Sequence, residues 1–290
     1  MRGELAYTIA EHRLVIETPD GAQTERLLPS FTDFLCKAER EQGNILFRFT
    51  GNHLLSLPQV PPVEQFTRHP FRYAVYDTDL GKLIRMSRGV QHHHLLLPAD
   101  LHHFRSDLTL ADTSESPFLN SFLMIAFTLA AAPLKTVKLH ASVIEREGKA
   151  ILFLGSSGTG KSTHTRLWEQ HIPGSRLLND DEPVVRIMED GSVWVFGSPW
   201  SGSTPCYRNI SAEAVALVRL YQHPENKLVQ IKGVTAFTAL FQSAAILRSD
   251  EQHRERLFGN VTELAGKVPF YRLDCRPDRE AVMLSVRLMK

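Results

Sequence analysis

Residues 140–187 read HASVIEREGKAILFLGSSGTGKSTHTRLWEQHIPGSRLLNDDEPVVRI, and the order of patterns inside this stretch decides the fold. Val137, Leu139, Ala141 and Val143 alternate with Lys138, His140, Ser142 and Ile144, as a strand does when its two faces differ. Glu147-Gly148 offers a two-residue turn, and Ala150 to Leu154 is an unbroken apolar run, so a hairpin feeds a buried strand. The octet Gly155-Ser156-Ser157-Gly158-Thr159-Gly160-Lys161-Ser162 follows at once and fits G-x-x-x-x-G-K-[ST]. A helix then runs from Ser162 to His171 and is stopped by Pro173-Gly174.

This strand–loop–helix order is the setting in which such an octet cradles phosphate. Its glycines let backbone N–H groups turn inward, and the helix adds the positive end of its dipole. Gly155 through Thr163 are therefore the expected nucleotide contacts, with the Lys161 ammonium on the β and γ phosphates and the Ser162 hydroxyl on Mg²⁺. A strand, Arg176 to Leu178, leads into Asn179-Asp180-Asp181-Glu182. Two adjacent carboxylates there suit a metal contact and a proton acceptor, and their crowding would raise one pKa. The expected division is Asp180 as base and Asp181 as metal partner beside Ser162.

If Glu147 and Gly148 are the turn, Arg146 faces Lys149, Ser142 faces Phe153 and His140 faces Gly155. The His140 imidazole then emerges beside the glycine loop, where it could orient an acceptor, bind a phosphate oxygen or assist a proton transfer.

The stretch from His140 to Ile187 resembles the core of HPr kinase/phosphorylase and of phosphoenolpyruvate carboxykinases, and most of all HPr-kinase-like proteins found beside peptide-modification and other biosynthetic genes. The resemblance implies an α/β fold: a P-loop kinase domain of the HPr kinase/phosphoenolpyruvate carboxykinase type. By it, His140 matches the histidine that opens the HPr kinase segment, Gly155 to Ser162 the nucleotide loop, and Asp180 and Asp181 the pair that supplies a metal contact and a base. No counterpart of the Glu-Ile-Arg-Gly-Leu-Gly segment that HPr kinases use on their protein substrate is present. Gly197-Ser198-Pro199-Trp200-Ser201-Gly202-Ser203 stands in its place. With Arg208, this loop reads either as a cover over an anionic substrate, with Trp200, Ser201 and Gly202 at the contact, or as a Gly/Pro turn around a core tryptophan.

Upstream, His12 to Glu17, Asn44 to Phe49, Arg72 to Tyr76, Lys82 to Met86 and His94 to Leu97 alternate as strands, with a hairpin connection at Asp77 to Lys82 and an interruption at Pro58, Pro61 and Pro62. This predicts an antiparallel, β-rich N-terminal portion over 1–112, bounded by the polar stretch Asp112 to Pro117, and a phosphotransferase domain over 113–290. Further helices are expected at Ala212 to Tyr221, Thr235 to Leu247, Asp250 to Ala265 and Asp278 to Met289. Phe118 to Leu134 is interrupted by Asn120, Ser121 and Thr128. It falls short of the roughly 20 apolar residues of a membrane span and reads as a buried helix.

The 290 residues carry 33 Lys plus Arg against 32 Asp plus Glu, which leaves no cationic excess for a nucleic acid backbone. Cys36, Cys206 and Cys275 are too few and too far apart for a disulfide framework, and the N-terminus has no uninterrupted apolar core, so a reducing, cytoplasmic setting is expected. Three consecutive strand residues cannot all face one ion, so His92, His93 and His94 with His102 and His103 resemble a metal cluster by composition only.

The function expected is a kinase using Mg²⁺ and ATP, or another nucleoside triphosphate, to phosphorylate a hydroxyl, serine above all, of a peptide, protein or small molecule. Nucleic acid and membrane partners are not expected, and a homo-oligomer stays open. Two alternatives are a carboxykinase-like decarboxylating phosphotransferase and a nucleotide-binding regulator or scaffold without catalysis.

Overall fold

The structure, a computed structural model, describes residues 3–36, 44–202, 204–245 and 247–289. Two compact units divide it: one runs to Ala131 and includes Leu247–Glu251, and the other takes up the rest from Ala132. The division falls after the apolar helix at Ser116–Ala131 because that helix packs on strands of the first unit.

The first unit is an eight-stranded sheet of β1 (Gly3–Ile9), β2 (His12–Thr18), β3 (Ile45–Thr50), β4 (Glu64–Arg68), β5 (Phe71–Thr78), β6 (Gly81–Arg88), β7 (Gln91–Pro98) and β8 (His103–Ser106), ordered β1-β2-β3-β8-β7-β6-β5-β4. Antiparallel hairpins dominate, with one correction: β3 runs parallel to both β2 and β8. The chain reaches β3 from β2 by an excursion that includes α1 (Gly21–Leu27), and reaches β8 only after the β4–β7 meander. Connections of that length permit parallel pairing, which a tight turn does not. Helix α2 (Ser116–Ala131) buries Phe118, Phe122 and Phe127, with Phe118 edge-on to Phe71 at 5.2 Å. With its 3₁₀ ends the helical stretch Thr113–Leu134 is 22 residues, long and apolar enough by composition to cross a membrane, which corrects the shorter expectation. Over half of its most apolar window is buried inside the fold.

The second unit is a mixed α/β sheet of nine strands: β9 (Thr136–Lys138), β10 (Ala141–Arg146), β11 (Lys149–Leu154), β12 (Arg176–Asp180), β13 (Val184–Ile187), β14 (Val193–Phe196), β15 (Ser211–Gln222), β16 (Lys227–Ile231) and β17 (Phe270–Cys275). The order β12-β10-β11-β15 continues along β14-β13-β9, while β17 and then β16 pair beside the later half of β15. Strands β11, β15 and β17 are parallel. Helices α3 (Lys161–His171), α4 (Gly233–Phe241), α5 (Glu251–Lys267) and α6 (Arg279–Val286) complete the unit.

Both faces of this sheet are covered, which explains the unbroken run in β11. Ala150, Leu152 and Leu154 enter a core with residues of α4 and α5, and Ile151 and Phe153 enter another with Trp168 of α3 and Val282 of α6. Alternate side chains go to opposite faces, and both faces are dry.

The segment Ala212 to Tyr221, expected as a helix, is the central strand β15. Its apolar run matches burial on two faces, and a bulge removes the two-residue period: Ala150 pairs with Ala214 but Ile151 with Ala216. Alanines that favour a helix in isolation are overridden by pairing with three neighbours. The helix expected over Thr235 to Leu247 ends early, at Phe241, where the chain turns to bridge Ala244 with Leu139.

Candidate functional site

The hairpin forms in the expected register. Arg146 pairs with Lys149, Ser142 with Phe153 and Ala141 with Leu154, while Glu147 and Gly148 turn the chain with φ of 54° and 77°. Strand β12 pairs antiparallel on the other side of β10, with Ser142 opposite Asp180. Because β10 is antiparallel to both neighbours, its start lies beside the ends of β11 and β12. This topology alone brings His140, the glycine loop and the acidic pair to one end of the sheet.

The loop after β11 is shaped by close approach and by positive φ. A Cβ on Gly155 would lie 2.5 Å from Thr159 Oγ1, and Gly160, at φ 99°, is the N-cap of α3. Thr159 folds back to donate its hydroxyl to the Ser156 carbonyl at 2.9 Å. Lys161, only 7% exposed, places Nζ 3.1 Å from the Gly155 carbonyl oxygen and 2.9 Å from His140 Nε2. Burial lowers the Lys161 pKa from its ordinary value, against the opposing pull of Asp181 and Asp180.

The two aspartates have different neighbours. Ser162 Oγ donates to Asp180, 3.0 Å from Oδ1 and 3.2 Å from Oδ2, and Asp180 is buried. Asp181, at φ 85°, turns away and places Oδ1 2.9 Å from His140 Nδ1. With the lysine donating to Nε2, the imidazole proton is on Nδ1 and is donated to Asp181. The expectation that Asp181 stands beside Ser162 is therefore corrected: that neighbour is Asp180, because the strand ends there and the next residue takes a left-handed turn.

Ser201 and Gly202 lie against the acidic turn. Ser201 Oγ and Gly202 N both donate to the Asp180 carbonyl, at 3.0 and 2.9 Å, and a Cβ on Gly202 would come within 2.7 Å of Asp181 Cβ. Trp200, at 4% exposure, does not offer its ring as a wall to a substrate, and its carbonyl is bound by Asn179. Arg208 does not reach the site either, since its guanidinium donates to the Leu177 carbonyl on β12. Ser203 lies outside the described residues. Burial pushes the Cys206 thiol up to about 11, so it is no ready nucleophile.

One organising residue escaped the sequence reading, although it begins the Asn-Asp-Asp-Glu string. Asn179 is fully buried, and its Nδ2 donates to the carbonyls of Trp200 at 3.0 Å and Cys206 at 3.3 Å, while its Oδ1 accepts from Glu182 N at 3.0 Å. A buried pair of Lys138 and Glu182 fixes the far side of the same turn. Away from this site, His93 and His94 both contact Asp107, and among the described residues no three His, Cys, Asp or Glu side chains form a metal-binding group.

His140, Ser157, Gly158, Gly160, Lys161, Ser162, Thr163, Asp180 and Asp181 line one cavity of about 410 Å³. Strand, glycine loop, helix and acidic strand end thus define a mixed α/β protein with a polar site at one end of its second sheet. The chain belongs to the family of the SynChlorMet cassette protein ScmC, whose profile matches residues 111–278, more than half of its length. No curated protein matches it. Among solved structures it is similar to the Hpr(Ser) kinase/phosphatase from Coxiella burnetii, at 13% identity over 52% of this chain and 87% of that one, with a TM-score of 0.32.

Proposed function

We propose that this cavity binds the phosphates of a nucleoside triphosphate, ATP in the first instance, and that the protein is a cytoplasmic kinase transferring the γ-phosphoryl to a hydroxyl acceptor. One observation carries the reading: an ammonium, a hydroxyl beside a buried carboxylate, and a second carboxylate beside an imidazole all line the cavity at the glycine loop. Each type of group has a task in phosphoryl transfer, and transfer depends on positioned charge rather than on covalent chemistry by the protein.

Lys161 leaves its two present partners for phosphate oxygens, joined by loop N–H groups and the N-terminus of α3. Ser162 and Asp180 provide oxygen donors only, a set that fits Mg²⁺, which would neutralise triphosphate charge. Asp181, whose side chain is 31% exposed, accepts the proton of the acceptor hydroxyl as that oxygen bonds to the γ-phosphorus and the bond to the nucleoside diphosphate breaks. His140 holds the Asp181 carboxylate through Nδ1–H. The acceptor is a serine-like hydroxyl of a peptide, protein or small molecule.

The experiment is transfer from γ-³²P-labelled ATP in Mg²⁺ to a panel of hydroxyl-bearing peptides and metabolites. Labelled product that requires Lys161 and Asp181 supports the reading. Nucleotide binding unaffected by Lys161→Ala would overturn it.

A further inference from the structure

A second cavity, of about 630 Å³, opens on the other side of the glycine loop and shares Gly158, Gly160 and Thr163 with the first. Thr159 and His164 continue the loop-and-helix side, and the other walls come from two distant places in the chain: Leu220 and Gln222 to Pro224, at the end of β15, and Cys275 to Pro277, at the end of β17. Strands β11, β15 and β17 are parallel, so the glycine loop and both these segments leave the sheet at the same end. The crevice outside the carboxyl ends of parallel strands is the place where open α/β sheets take ligands, and the volume is that of a small-molecule site.

The chemistry of this cavity differs from that of the first. Leu220, Pro224, Cys275 and Pro277 supply apolar surface. The cation present, Arg276, is held by carboxylates, with Nε 3.0 Å from Asp278 Oδ2 and Nη2 3.3 Å from Glu280 Oε2. A guanidinium balanced in this way offers hydrogen bonds to a neutral ring more readily than charge to a phosphate. Gln222 Nε2 donates to the Gly158 carbonyl at 3.0 Å, which ties this wall to the tip of the loop.

We infer that the second cavity takes the nucleoside half of the phosphoryl donor, so that the donor is a nucleoside triphosphate and not an inorganic polyphosphate. This rests on the phosphate-site reading above and adds to it the recognition of a base and sugar between the ends of β15 and β17.

Calorimetry with Mg²⁺ should show ATP binding at least about tenfold tighter than inorganic tripolyphosphate. Cys275→Phe, which fills the cavity floor, should bring ATP down to the affinity of tripolyphosphate and leave tripolyphosphate unchanged. Photolabelling of the unaltered protein with 8-azido-ATP, which does not depend on a variant folding, should mark peptides containing 220–224 or 275–277. Equal affinity for the two ligands, with both lost in Lys161→Ala, would overturn the nucleoside site and leave the phosphate site standing. Binding of neither ligand by the unaltered protein would overturn both.

Discussion

Asp180 and Asp181 are adjacent in sequence, yet the first accepts a hydrogen bond from Ser162 at 3.0 Å while the second lies 2.9 Å from His140 Nδ1. The turn between them, with Asp181 at φ 85°, separates two carboxylates that an extended strand would also have separated, but sends the second toward the histidine. Their substitutions should therefore differ. Asp180→Asn should weaken Mg²⁺-dependent nucleotide binding, whereas Asp181→Asn should keep binding and lower kcat by about 10²- to 10⁴-fold. Titration calorimetry with and without Mg²⁺, beside turnover on an identified acceptor, separates them; identical behaviour would contradict the assigned roles.

His140 should act through Asp181. His140→Asn should lower kcat more than nucleotide affinity, and in an Asp181→Asn background it should cost little further, because groups working as one unit are not additive. A double-mutant cycle on kcat gives the answer, and full additivity would place His140 outside the mechanism.

Lys161 is held in the fold with its pKa lowered by burial. Between that lowered value and the ordinary 10.5 the unfolded chain binds more protons than the folded one, so this residue makes stability rise with pH across that window. Lys161→Met should remove that rise without destabilising the ligand-free protein at neutral pH, while nucleotide binding is lost. Urea unfolding at a series of pH values tests the first part and calorimetry the second.

His164 is buried against Phe153, with ring centroids 4.6 Å apart, and burial takes its pKa from 6.5 to about 4. As pH falls through 6.5 toward 4, the unfolded chain gains a proton that the folded chain refuses, and stability falls. The loss by pH 4 should be on the order of 3 kcal/mol. His164→Gln should flatten that part of the profile, measured by urea unfolding between pH 7 and pH 4.

Asn179→Ala should destabilise by on the order of 2 kcal/mol, since the Cys206 carbonyl and the Glu182 N–H lose their bonds to this amide, while Ser198 Oγ still donates to the Trp200 carbonyl at 2.9 Å. Nucleotide turnover should fall as well, because the acidic turn keeps its ties to Ser198, Ser201 and Gly202 but loses the Asn179 amide that holds it to the Trp200 and Cys206 carbonyls. Chemical denaturation with an activity assay on the folded fraction distinguishes the two effects.

Features governed by near neighbours are legible in the sequence. The two-residue turn at Glu147-Gly148 set the pairing of β10 with β11, and the glycine octet stands between strand and helix as read. Adjacent strands joined by a short turn have one good register, and a one-residue slip would put every side chain on the wrong face. The hairpin β5–β6, with its connection at Asp77 to Lys82, follows for the same reason.

What depends on distant partners was not legible. Strand β15 looked helical because a bulge and burial on both faces erased its period, and only its pairing with β11, β14 and β17 makes it a strand. The neighbours of Asp180 and Asp181 were exchanged because the left-handed turn at Asp181 is held by Asp181 N donating to the Ala141 carbonyl and by Gly202 packing against its side chain. The sequence leaves the loop at Trp200 open between a substrate cover and a turn around a core tryptophan; burial of Trp200 and the bond from Arg208 to the Leu177 carbonyl decide for the second. The second cavity joins residues from 158 to 277 along the chain. Local periodicity records which faces of an element are dry; which strand ends meet, and hence which side chains share a cavity, is set by non-local pairing that no single stretch of residues encodes.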